Sequence, residues 1–194
     1  DADIVLTHFS NYIASLGRKK MDSDQAYYNR ARTGTYVWKK YEVIDATFSD
    51  VLDTMVKNYP DQYAFKYTTL DYTRTYTEFR RDVDECAAAL ISLGVKAGDH
   101  VAVWATNIPA WFITFWATTK IGAVLVTVNT AYKIHEIEYL LKQSDTHTLV
   151  MIEDCKDINY REIIEELCPE LQNTKPGDPI YSKNLPFLRN VVTV

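Results

Sequence analysis

Residues 119–145 read TKIGAVLVTVNTAYKIHEIEYLLKQSD, and their order decides the fold. Past Lys120, the stretch 123–128 is apolar, rich in β-branched residues and free of charge, as a buried strand of a parallel sheet requires. Asn129 to Tyr132 then form a turn. Ile134, Ile137 and Leu141 follow at helical spacing, so the segment is strand, turn and amphipathic helix.

The same rhythm repeats on both sides. Strand 101–105 (VAVWA) leads into a helix at about 109–120, strand 123–128 into one at about 133–143, and strand 147–152 (HTLVMI) into one at about 158–168; a last strand covers 188–194. Apolar strands separated by amphipathic helices predict an α/β fold, a parallel sheet with helices on both faces. The last strand runs to Val194 with no closing helix, so the chain is expected to be truncated at that end.

Upstream the pattern differs. Phe48, Val51, Leu52, Met55 and Val56 make one helical stripe that Thr47 can cap and Pro60 ends. Residues 63–76, YAFKYTTLDYTRTY, are aromatic and β-branched around a Leu-Asp break, the pattern of a short β-hairpin. Thr77 offers a cap for a helix carrying Phe79, Val83, Cys86, Ala87, Leu90 and Leu93, which Gly94 closes. Residues 1–45 show no sustained period. They are expected to form an irregular arm, with one short helix near residues 9–16, ahead of an α/β unit at 46–194.

Composition narrows the function. The chain has 194 residues, 47% hydrophobic and 24% charged, with a net charge of −5. Residues 1–45 hold 7 Lys/Arg against 6 Asp/Glu and the remainder 14 against 20. An acidic globular part argues against nucleic acid as a partner. Cys86, Cys155 and Cys168 are dispersed and odd in number, which suits a reduced, cytoplasmic setting. No apolar run approaches the ~20 residues of a membrane-spanning helix.

Local chemistry is sparse. A phosphate site built on a strand-to-helix turn needs glycines so that backbone N–H groups reach the anion. The six glycines include no such pattern, and Gly94 and Gly98 in LGVKAGDH read as turn formers. His8, His100, His135 and His147 are scattered, with no nucleophile and acid at triad spacing. Glu153, Asp154 and Asp157 follow a strand, where parallel sheets bind ligands, whereas Glu162, Glu165 and Glu166 read as a solvated helix face. Trp111 and Trp116 lie ~140° apart on their helix, so core burial on more than one side is the simpler reading and an aromatic pocket wall the other.

Three stretches in fixed order, RTYTEF (74–79), AAALISLGVKAGDHVAVWATNIPAWF (87–112) and the opening segment, closely resemble the front part of the acyl-adenylate-forming superfamily, fatty-acyl-CoA synthetase branch. Thr75–Phe79 resembles its first shared motif and Lys120–Val128 its second, with Thr127 where a small residue or proline is usual. Asn129-Thr130-Ala131-Tyr132 is similar to the Asn-x-x-Tyr of fatty-acid-activating members. The resemblance spans about residues 46–153.

That resemblance implies a two-step reaction. A fatty acid or related carboxylate attacks the α-phosphate of ATP with Mg²⁺ assistance, giving acyl-AMP and pyrophosphate; the thiol of coenzyme A then displaces AMP. The charge on the transferring phosphate falls, in the family, to a Gly/Ser/Thr-rich loop with a lysine. The chain has no such loop, so it is expected to need the rest of the same polypeptide, to be inactive alone and to hold none of these cofactors by itself. Within it the resemblance points to Asn129, Tyr132 and Lys133 as cofactor-binding candidates bordering the coenzyme A side. The bland alternative is that Asn129 shapes the turn and Tyr132 packs. No catalytic or metal residue is nominated. Two other readings stand beside this one: a self-contained flavodoxin-like ligand-binding module, and a protein-interaction domain using the Tyr-rich stretch 27–41.

Overall fold

The computed structural model describes residues 26–28, 35–37 and 44–194. The chain divides into two units, 1–45 and 46–194. In the first, β1 (Ala26–Tyr28) pairs antiparallel with β2 (Thr35–Val37). This ladder modifies the expectation of an irregular arm, and its Tyr, Thr and Val content is what strands favour. The helix expected near residues 9–16 lies outside the described residues.

The second unit opens with α1 (Phe48–Asn58). Thr47 Oγ1 accepts the Asp50 N–H at 3.2 Å and Asp50 Oδ2 accepts the Thr47 N–H at 2.9 Å, a reciprocal cap. The hairpin of β3 (Tyr63–Tyr67) and β4 (Tyr72–Thr75) follows, turning at Asp71 with φ 45°.

Helix α2 (Tyr76–Ser92) starts two residues earlier than a cap at Thr77 would place it. Thr75 is the cap: its Oγ1 accepts the Glu78 N–H at 3.2 Å while Glu78 Oε2 accepts the Thr75 N–H at 2.9 Å. Only Thr75 has a glutamate three residues on, and that second bond decides between the two threonines. Thr77 Oγ1 donates instead to the Pro60 carbonyl at 3.0 Å. Gly94, at φ 85°, closes the helix.

Strands and helices then alternate: β5 (His100–Trp104), α3 (Pro109–Lys120), β6 (Val124–Thr127), α4 (Ile134–Gln143), β7 (Thr146–Met151), a miniature hairpin of β8 (Asp154–Cys155) and β9 (Ile158–Asn159), α5 (Tyr160–Leu167), a 3₁₀ turn at Pro169–Asn173, and β10 (Asn190–Thr193). The parallel sheet has the order β10-β7-β5-β6. Residues 158–159, expected to open a helix, belong to the hairpin. Lys156 takes φ 57° at its tip, and Asn159 Oδ1 caps α5 by accepting the Glu162 N–H at 3.1 Å.

Period-two alternation sends each strand into two cores. Val101 and Val103 face Phe79, Val83, Leu90 and Ala117 of α2 and α3; Ala102, Trp104, Leu149 and Met151 face Ile137, Leu141, Ile164 and Leu167 of α4 and α5. The chain steps from β5 to β6 by way of α3, then returns across the sheet to β7 and β10 by way of α4 and α5. Right-handed crossovers in opposite directions place their helices on opposite faces, which is the two-sided cover observed.

One expectation is corrected. The apolar run 123–128 predicts a buried strand, yet Val124 is 45% exposed and Leu125 and Val126 are half-buried. β6 is an edge strand, and hydrophobic content alone carries no strand order. β5 and β7, in the interior, are the strands whose apolar residues are buried.

Candidate functional site

Parallel sheets present their ligands at the carboxyl ends of the strands, where the direction of chain progression reverses. Here that point lies between β5 and β7, and three segments meet around it: the exit of β5 at Trp104, the turn after β6 at Asn129–Lys133, and the exit of β7 at Glu153.

Trp104 ends β5 and has no exposed surface. Its indole stacks on Tyr160, the first residue of α5, with centroids 3.7 Å apart and planes 10° from parallel. Both polar atoms reach the same turn: Trp104 Nε1 donates to the Asn129 carbonyl at 3.1 Å and Tyr160 Oη to the Thr130 carbonyl at 2.7 Å. The Tyr160 and Arg161 N–H groups both donate to the Glu153 carbonyl, at 2.9 and 3.1 Å. Burial pushes the Tyr160 phenol well above its ordinary pKa, with Cys155 adding to the effect, so it stays a neutral donor at physiological pH.

The candidate residues sit on this frame. Asn129 is exposed, and its Oδ1 accepts the Ala131 N–H at 2.9 Å while its carbonyl accepts the Tyr132 N–H at 3.1 Å. Tyr132 is half-buried against the core cluster of α4 and α5. Turn-shaping and packing are therefore visible for these two. Lys133 caps α4, its N–H donating to Glu136 Oε2 at 3.1 Å, and its side chain is exposed.

Of the acidic residues after β7, Asp157 shares a groove of about 350 Å³ with Lys133, Ile134 and Glu162. Glu153 Oε1 lies 3.4 Å from Arg161 Nη1, both exposed, and Asp154 is exposed. Arg161 also pairs with Glu165, so the helix carboxylates are partly committed to a surface network. A larger groove of about 580 Å³ runs beside β10, lined by Met151, Arg161, Ile164, Leu171 and Val191, away from the turn.

The remaining candidates separate from this edge. His100 and His147 lie at the amino ends of β5 and β7, His147 Nδ1 being 2.9 Å from Thr148 Oγ1. His135 is exposed on α4, and His8 lies outside the described residues. Gly98 takes φ 87° and donates to the Gly122 carbonyl at 2.9 Å, while Asp99 Oδ2 accepts the Lys96 N–H at 2.7 Å, a structural turn. Trp111 and Trp116 are half-buried in an aromatic cluster with Phe48, Phe112 and Phe115. Among the described residues, no three His, Cys, Asp or Glu side chains gather as a metal site, and no helix is long and apolar enough to cross a membrane.

Sequence reasoning missed Trp104 and Tyr160. Each looked like one more apolar position at a strand end or a helix start. What could have drawn notice is that both are aromatic residues with a donor, at places where buried donors need partners.

Comparison with known proteins shows the family and the fold. The family model described as "AMP-binding enzyme" matches residues 52–191. YngI of Bacillus subtilis, named as an inferred acyl-CoA synthetase, is 41% identical over 153 residues, covering 79% of the chain and 28% of YngI. The mitochondrial medium-chain acyl-CoA ligase ACSF2 of Danio rerio is 35% identical over 147 residues, covering 76% of the chain and 24% of the ligase. The chain thus spans about a quarter of the length of these curated relatives. Among solved structures, a Mycobacterium tuberculosis fatty acyl CoA synthetase aligns with a TM-score of 0.62 at 20% identity, covering 76% of the chain and 26% of the synthetase. The N-terminal domain of FACL13 from the same organism aligns with a TM-score of 0.63 at 20% identity, covering 77% of the chain and 34% of that domain. At such identities the likeness is one of fold.

Proposed function

Because the chain belongs to the AMP-binding enzyme family, we propose that its α/β unit, residues 46–194, is the front portion of an acyl-CoA synthetase acting on a fatty acid or related carboxylate in the cytoplasm. Residues 1–45 are assigned as a preceding arm. The observation that carries this reading is the 41% identity over 153 residues to a relative named for that activity.

The complete reaction uses ATP, Mg²⁺ and coenzyme A. The carboxylate oxygen bonds to the α-phosphorus as pyrophosphate leaves, and the thiol sulfur then bonds to the acyl carbon as AMP leaves. The chain's own residues fit only part of this. The exposed Asn129 amide and the Lys133 ammonium are donors suited to the carbonyl and phosphate groups of a thiol carrier. Binding of the triphosphate and of the magnesium ion is assigned to the rest of the same polypeptide.

The test compares two proteins. The 194-residue chain alone is expected to give no carboxylate-dependent ATP–pyrophosphate exchange, whereas the chain replacing the matching quarter of YngI is expected to give exchange and acyl-CoA. Exchange by the isolated chain would sink the claim that adenylation needs the remainder. Saturable nucleotide binding by the isolated chain in calorimetry would favour the self-contained module instead.

A further inference from the structure

We infer that Trp104 and Tyr160 are positioning residues for the turn Asn129–Tyr132, aiming its Asn129 amide and Lys133 ammonium at the thiol carrier. The inference rests on the reading of that turn as the coenzyme A side of the site.

The turn leaves β6, the edge of the sheet. A turn in that place ordinarily gives its carbonyls to water. Here the consecutive carbonyls of Asn129 and Thr130 are each taken by a side chain with no solvent exposure. The stack itself needs only the ring faces, which lie 3.7 Å apart. Phenylalanine at either position would fill most of that space and leave no buried donor to satisfy. The indole N–H and the phenol O–H therefore add one thing that packing does not require, a fixed backbone for this turn.

The side chain of Asn129 gains from it. With Oδ1 spent on the Ala131 N–H, Nδ2 has no hydrogen-bond partner among the described residues and is left to meet an acceptor on a ligand. Tyr160 is itself held, because its own N–H and that of Arg161 converge on the Glu153 carbonyl at the exit of β7. The direction in which the turn faces is thus set by β5 and β7 through two rings, rather than by the edge strand that leads into it.

Tyr160→Phe keeps the ring and removes only its donor, whereas Trp104→Phe removes the indole N–H together with part of the buried ring. Ile164→Val, in the same core cluster, is the control for general loosening. In the 194-residue chain, hydrogen exchange at the Ala131 and Tyr132 amides is expected to accelerate about fivefold in each aromatic variant, relative to Leu149 and Val150, the order expected for one lost hydrogen bond. In the chain joined to the remainder of YngI, the KM for coenzyme A is expected to rise severalfold while kcat changes less than twofold, and Ile164→Val should lower Tm without either effect. Uniform exchange across the protein, or an unaltered KM for coenzyme A in an active enzyme, overturns the inference. Failure of the functional reading looks different: the joined protein then forms no acyl-CoA even with Trp104 and Tyr160 intact, and exchange alone decides whether the rings hold the turn.

Discussion

Arg74 Nε donates to Asp82 Oδ2 at 2.8 Å, fastening the second strand of the β3–β4 hairpin to α2. The same oxygen accepts Tyr72 Oη at 2.7 Å, and the Arg74 guanidinium lies over the Tyr72 ring, 4.3 Å from its centroid. One carboxylate, 16% exposed, serves two donors. Asp82→Ala is expected to cost ~1–3 kcal/mol because both donors lose their acceptor, and Asp82→Asn less, since its carbonyl can still accept. Urea unfolding measures both. A loss under ~0.5 kcal/mol for Asp82→Ala, the size of an ordinary surface change, would transfer the attachment to the Phe65–Phe79 ring contact.

Two phenols predict an alkaline limit. Burial, then Cys155 for Tyr160 and Asp82 for Tyr72, holds each above the ordinary value of 10.0. A folded-state pKa above the unfolded one means the stabilisation is complete below about pH 10 and is lost as pH rises beyond it. Thermal unfolding between about pH 8 and pH 11 is expected to show Tm falling at the upper end, and Tyr160→Phe should flatten that fall. At the acid end the sign reverses for Glu78, which its bonds to Thr75 hold below 4.5. Its contribution is present above that value and is lost as pH falls, so Glu78→Gln should flatten the acid limb.

Two glycines with positive φ differ in their surroundings. At Gly122, φ 75°, an added Cβ would meet Ala97 Cβ at 3.3 Å, whereas at Gly94, φ 85°, it would meet nothing within 4 Å. Both alanine variants bear the left-handed penalty of ~1–2 kcal/mol, and Gly122→Ala is expected to cost more. Equal losses in denaturant would mean that the Ala97 contact yields freely.

Asn129 and Lys133 separate structure from binding. Asn129→Ala loses the acceptor for the Ala131 N–H and should destabilise by ~0.5–1.5 kcal/mol. Lys133→Ala, at an exposed side chain, should stay within ~0.5 kcal/mol yet raise the KM for coenzyme A in the joined enzyme. An unchanged KM would remove Lys133 from the proposed site and leave it a surface residue.

Much of this fold was legible where local rules and tertiary demands agree. The helix at about 109–120 is legible because Pro109 suits a first turn and Gly122 follows the helix end. The cap expected at Thr77 falls instead at Thr75, which Glu78 three residues on marks. The exposure of β6 and the hairpin at 154–159 depend on strand order and on a left-handed Lys156, neither of which has a period to read. The candidate turn was found by resemblance. The rings that hold it were not, because their meeting depends on sheet topology that no local window contains.

The stack of Trp104 on Tyr160 also bears on how the chain is made. Until Tyr160 has left the ribosome, the indole at the end of the central strand has neither its aromatic cover nor the full sheet around it. At ~5–20 residues per second that interval lasts several seconds, far longer than local helices need to form. Nascent chains ending between β5 and α5 are therefore the stage at which a chaperone that binds apolar segments has most to protect.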